Sequence, residues 1–138
     1  MRFMVMMIPD IYQRPAPGDF APPADEVEKM GRFNEELVKA GVLLACEGLH
    51  PPEKAARVSF DSDKPKVTDG PFAEAKEAIG GYWIWQVKSR EEAIEWARRC
   101  PAQPGDVLEI RPVFEPEDFG PEVARQEREL MEKIGRNK

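Results

Sequence analysis

One histidine and two cysteines are too few to suggest a metal centre in this chain. His50 stands alone, and Cys46 and Cys100 make no CxxC pair, so neither zinc-ligand spacing nor a redox dithiol is present. Both thiols are expected to be reduced and buried. Long apolar runs are missing too. The N-terminal Phe3–Ile8 stretch is much too short to span a bilayer. It has no basic lead or small-residue cleavage site, so a signal peptide and a membrane are both excluded as expectations. Nor is there an excess of positive charge: 26 acids against 20 bases give a formal −6, mixed along the chain, which disfavours nucleic acid as a partner. No repeat at solenoid periods is visible. These absences leave a cytoplasmic protein without cofactor or metal. An apolar content of 41% over 138 residues is enough for one globular domain with its own core.

Arg2–Ile8 is apolar on both faces and reads as a central strand, which Pro9 ends. Five prolines between Pro9 and Pro23 exclude regular structure there. Tyr12, Arg14 and Phe20 lie on this loop, where they could lean over a pocket. Asp25, with Glu28 three residues on, predicts a capped helix whose apolar face is Val27, Met30, Phe33 and Leu37, stopped by Gly41. Val42–Leu49 follows as a strand with Leu44 and Cys46 on one face and Ala45, Glu47 and Leu49 on the other. Glu47 either reaches water at an edge or lines a cavity. His50 is either solvated beside a turn or the one side chain whose ordinary pKa suits proton transfer near neutrality.

Ala55–Phe60 and Lys66–Thr68 read as a hairpin arm whose second leg carries Asp69 to a tip. Tyr82–Val87 has Trp83, Trp85 and Val87 on one face and Tyr82, Ile84 and Gln86 on the other. With helices on one side only, the second side needs a cover, and a second copy of the chain would supply it. Ser89 and Glu92 make a capping box for a second helix with Ala93, Ile94, Trp96, Ala97 and Cys100 inward. Val107–Phe114 then points Glu109 and Arg111 away from the helices, where they either pair with each other or hold an anion. Glu122–Ile134 predicts an added helix with a thin apolar stripe. The order is βαββαβ, an α+β ferredoxin-like plan with an antiparallel sheet and helices on one face. The domain is expected over 1–115, and a helical extension over 116–138.

The densest turn chemistry is Asp69-Gly70-Pro71-Phe72, followed by Glu74, Lys76 and Glu77 and by Gly80-Gly81-Tyr82. It builds either a tight corner or a pocket rim, and Ala73–Ile79 beyond it makes either two helical turns or an extended rim. This stretch resembles the DGPF-motif branch of the YCII-related family. Ala40-Gly41-Val42-Leu43 through Glu47-Gly48-Leu49, and Glu109-Ile110-Arg111-Pro112, extend the likeness over about residues 1–115. The resemblance implies the ferredoxin-like fold paired as a dimeric α/β barrel. It implies much less about activity, since most of the family has no assigned reaction. Shorter YCII-like proteins carry a candidate His–Asp pair, on the first helix and just after the second. Here those positions fall at Phe33 or a neighbour and at Cys100-Pro101, so any catalysis must use other groups.

Two functions follow as expectations. In one, a homodimer encloses a pocket for a small anionic or aromatic ligand. Asp69 or His50 serves as base, and Arg111, Glu109, Glu47, Tyr82 and Phe72 contact the substrate. In the other, the protein is a non-enzymatic interaction module, which the branch's association with ECF-type sigma factors implies. A polar-lined chamber favours the first, and a filled apolar interior the second.

Overall fold

The computed structural model describes residues 1–14, 20–60, 64–72 and 77–136. Its elements run β1 (Arg2–Ile8), α1 (Ala24–Lys39), β2 (Leu43–Gly48), β3 (Ala56–Ser59), β4 (Lys66–Asp69), β5 (Gly81–Gln86), α2 (Arg90–Arg98), β6 (Val107–Pro112) and α3 (Pro121–Arg136). Four strands form one sheet in the order β2-β5-β1-β6, every neighbour antiparallel. This is the ferredoxin-like α+β arrangement. The strands that are apolar on both faces, β1 and β5, sit at its centre.

One face of that sheet holds the core. Phe3 and Val5 of β1 and Trp83 and Trp85 of β5 pack against Phe33 and Leu37 of α1 and Ala93 of α2, all buried. The Phe33 ring meets Trp83 and Trp85 edge-on, at centroid distances of 6.2 and 6.3 Å. Such pairs each add about 0.5–1.5 kcal/mol beyond the area they bury.

Three local expectations are corrected. Asp25 does not cap α1: the helix begins at Ala24 with Pro23 before it, and Pro23 O accepts from Glu26 N and Val27 N at 3.1 Å. Proline has no N–H to lose at a helix start, so the helix gains a residue and Asp25 becomes a first-turn acid facing the positive end of the dipole. In β2 the register shifts between Leu43 and Ala45. Leu44 is the extra residue and is exposed, while Leu43 and Cys46 face the core. The β3–β4 hairpin is the expected arm, a two-stranded sheet apart from the four-stranded one, but its second leg does not end at a tip. Asp69 pairs with Ala56 at the root of this arm, not at its tip.

Other signals act as read. At the end of α1, Gly41 adopts φ +73°, its N–H reaches Val38 O, and Val42 N reaches Leu37 O. These are the two bonds of a Schellman cap. Ser89 Oγ accepts from Glu92 N at 3.1 Å, and the Glu92 carboxylate accepts from Lys88 N at 2.8 Å. The helix-or-rim expected near 73–79 and the turn at 61–65 fall largely outside the described residues. Beyond β6, Arg2 holds Glu115 through two nitrogens, the shorter contact 2.6 Å. The α3 helix then packs chiefly on the 3₁₀ turn Pro116–Asp118. Ala124 is buried there, while Leu130, Met131 and Ile134 stay exposed.

Candidate functional site

At the C-terminal end of β1 the chain turns through Pro9 into a 3₁₀ turn, Asp10–Gln13. This turn is fastened on three sides. Gln13 Nε2 donates to Pro9 O and Ala78 O, and its Oε1 accepts from Ala78 N at 2.9 Å. Tyr12 OH donates to Leu49 O at 2.8 Å. Asp10 N donates to one oxygen of Asp106, whose other oxygen accepts from Gln103 N. Gly80 closes the floor. Its N–H donates to Met7 O, and its carbonyl accepts from Leu49 N. A Cβ there would stand 2.6 Å from Pro9 Cγ, so only glycine permits the approach.

These fastenings leave a cavity of about 600 Å³, within the usual range for a small-molecule site. Its walls are mainly apolar: Met7, Ile11, Tyr12, Phe20, Leu49 and a series of prolines. The polar lining is His50, Asp10, Glu26, Asp106 and Gln103. Burial, and secondarily the charge of Glu53, hold the Tyr12 phenol above its ordinary pKa. It therefore remains a neutral donor to Leu49.

The sequence candidates fall in three places. His50 lines the cavity. Glu47, Tyr82, Glu109 and Arg111 lie together on the sheet face opposite the core. Glu47 pairs with Tyr82, Tyr82 with Met6 and Met6 with Glu109, so one row crosses all four strands. The next row is Ala45, Ile84, Met4 and Arg111. Arg111 Nε lies 3.8 Å from Glu109, and Glu47 is exposed on an edge strand. Asp69 and Phe72 belong to the arm and do not line the cavity. The Arg57 guanidinium stacks 3.8 Å above the Phe72 ring. Gly70 seals the arm's root: its N–H donates to Ala55 O, and a Cβ would collide with Pro52 O.

Sequence reading did not single out Asp10, Glu26 or Asp106. It did leave Tyr12 and Phe20 free to lean over a pocket; both line the cavity, and their rings meet edge-on at 6.0 Å. Phe33 is buried in the core. The Cys100 thiol is pushed up to about 12 by burial and by Asp106, which leaves it unreactive near neutrality. Both cysteines are free and half-buried. Among the described residues, no group of three or more His, Cys, Asp or Glu could hold a metal ion, and no helix is long and apolar enough to cross a membrane.

Comparison with known proteins agrees with the fold. An uncharacterized protein of Rhizobium meliloti (strain 1021) is 38% identical over 69 residues, which is 50% of this chain and 56% of that protein. The chain thus spans little more than half the length of that relative. The YCII-related domain matches residues 1–117, from β1 through β6 and the turn that leads into α3. Its order of elements, its antiparallel sheet and that match together make this chain a member of the YCII-related family.

Proposed function

We propose that the protein belongs to the DGPF-motif branch of its family, works as a cytoplasmic homodimer, and binds a small aromatic molecule on which His50 moves a proton. The cavity carries this reading. It is largely apolar, sized for a small molecule, and lined by one imidazole that has no hydrogen-bond partner among the described residues. Carboxylates in the lining speak against the anionic alternative. Asp69 and Phe72, placed on the arm, act on the ligand only indirectly in this reading.

The open sheet face supports the dimer. Its central rows carry Met4, Met6, Tyr82 and Ile84, and a second copy laid on them would enclose Glu47, Glu109 and Arg111. Two free thiols suit a reducing compartment. The interaction-module reading has one observation in its favour, the uncovered stripe Leu130, Met131 and Ile134.

The test is thermal unfolding of the purified protein against a panel of phenols, quinones, aromatic amines and aromatic acids, with His50→Gln alongside. A ligand at about a hundred times its Kd adds roughly 2.7 kcal/mol, several degrees in Tm. For proton transfer, His50→Gln must retain ligand binding and lose turnover. If no aromatic compound shifts the unfolding, the small-molecule reading fails and the α3 surface takes its place.

A further inference from the structure

Resting on the reading of the cavity as a ligand site, we propose that its ligand is an aromatic cation, an arylalkyl amine or amidine, with Glu26 as the counter-ion. Three carboxylates line the cavity, and no lysine or arginine is among its described lining residues. The three are not equivalent. Both oxygens of Asp106 accept backbone N–H groups, from Asp10 at 2.9 Å and Gln103 at 2.8 Å, which fixes the loop before β6. Asp10 is engaged by the Arg14 guanidinium. The Glu26 carboxylate has neither a hydrogen bond nor an ion pair among the described residues, although the residue is half-buried on the cavity wall.

The apolar part of the wall points the same way. Tyr12 and Phe20 offer aromatic surface, which attracts a desolvated cation as well as another ring. Low-dielectric walls concentrate the field of the lining carboxylates inside the space, so an anion is repelled and a cation drawn in. Ile11, Leu49 and the two rings line the same cavity as Glu26, so apolar surface for a flat body and a counter-ion for its ammonium or amidinium are offered in one space. His50, on the same wall, completes the contact to the ligand.

Three compounds of similar shape and different charge test this by titration calorimetry: tryptamine, tryptophol and indole-3-acetate. Tryptamine is expected to bind about tenfold or more tighter than tryptophol, since hydrogen bonds to charged groups are the stronger ones. Indole-3-acetate is expected to bind weakest. In Glu26→Gln the preference for tryptamine should fall to about one, with tryptophol unchanged, and backbone NMR shifts at Tyr12, Leu49 and His50 should locate the ligand. Equal binding of tryptamine and tryptophol, or tightest binding of indole-3-acetate, overturns the cationic class while the cavity keeps its role. A preference that survives in Glu26→Gln overturns the counter-ion. No binding by any of the three overturns this inference, and a wider panel that also fails removes the cavity reading with it. The wild-type series decides the ligand class even if the variant does not fold.

Discussion

Adding a single methyl group at Gly80 should loosen both the fold and the cavity. The Cβ of Gly80→Ala would stand 2.6 Å from Pro9 Cγ, 3.0 Å from Pro9 Cδ and 3.3 Å from Tyr12 Cε2. Carbon atoms prefer about 3.5–4.0 Å, so roughly 1 Å of movement is needed. Neither side can give it cheaply. Pro9 is a closed ring, Tyr12 is tied to Leu49, and the Gly80 backbone is held by Met7 and Leu49 through hydrogen bonds of 2.8 and 2.9 Å. Overpacking of this kind costs about 1–3 kcal/mol, and the rigid partners place this case near 3. For a chain of this size that is a drop of about 10 °C in Tm. Urea unfolding followed by Trp83 and Trp85 fluorescence measures it, at fixed protein concentration because association shifts stability. Gly31→Ala is the control. Nothing lies within 4 Å of its Cβ on α1, so it should stabilise by about 0.8–1 kcal/mol. Pro9→Ala removes the clashing ring atoms and should recover about 1 kcal/mol in the double variant. A loss below about 0.5 kcal/mol for Gly80→Ala, or no coupling to Pro9, would refute the steric argument.

The other perturbations probe separate parts of the molecule. The Arg2 guanidinium, by hydrogen bonding, holds the Glu115 carboxyl below its usual range, so this contribution is present above the ordinary Glu pKa and is lost as pH falls through the folded value. Glu115→Gln should therefore cost about 1 kcal/mol near neutrality and much less at about pH 3, measured by urea melts at both; an equal cost at both pH values contradicts it. Cys100, alone in a Cys46→Ser background, should react with a disulfide reagent at a rate that climbs with pH and shows no plateau below about pH 11. Its folded pKa is raised, so stability falls as pH rises from about 9 toward 12; a labelling plateau near pH 8–9 would show a thiol far less buried. Gly70→Ala drives a Cβ to within 1.9 Å of Pro52 O, a contact the backbone must move to escape. Faster amide exchange over β3 and β4 with unchanged protection in β1 and β5 is expected, and protection lost throughout the sheet would mean that the arm is part of the global unit.

Much of the fold could be read from alternation because the central strands state their position twice. Met4 and Met6, Tyr82 and Ile84 repeat on the second face what Phe3, Val5, Trp83 and Trp85 say on the first. The Schellman glycine and the Ser89 cap were legible because each is a short-range device whose partners lie within five residues. Leu44 was not, since a bulge changes the face of a side chain without changing the residue types around it. The arm itself was legible, since Val58 and Val67 face each other across β3 and β4 as alternation predicts. Only Asp69 was misplaced, because alternation does not say which end of a hairpin leg carries the turn.

The candidate site divides along the same line. A contiguous motif draws the eye to Asp69, but Gly70 and Pro71 shape the root of an arm, and the close contact of Gly70 with Pro52 explains glycine there without any ligand. The cavity has no such signature, because its wall comes from Met7–Tyr12, Phe20–Glu26, Gly48–His50, Gly80 and Gln103–Asp106, five stretches brought together only by the sheet order. Each carboxylate looks unremarkable in its own segment: one after a strand, one in a helix first turn, one behind a glycine. What separates them is which hydrogen bonds they already make, and that is fixed by tertiary contacts between Asp10, Gln103 and Asp106. Glu26 is the acid left over when those bonds are counted, so the strongest candidate for recognition is a residue that no local pattern would select.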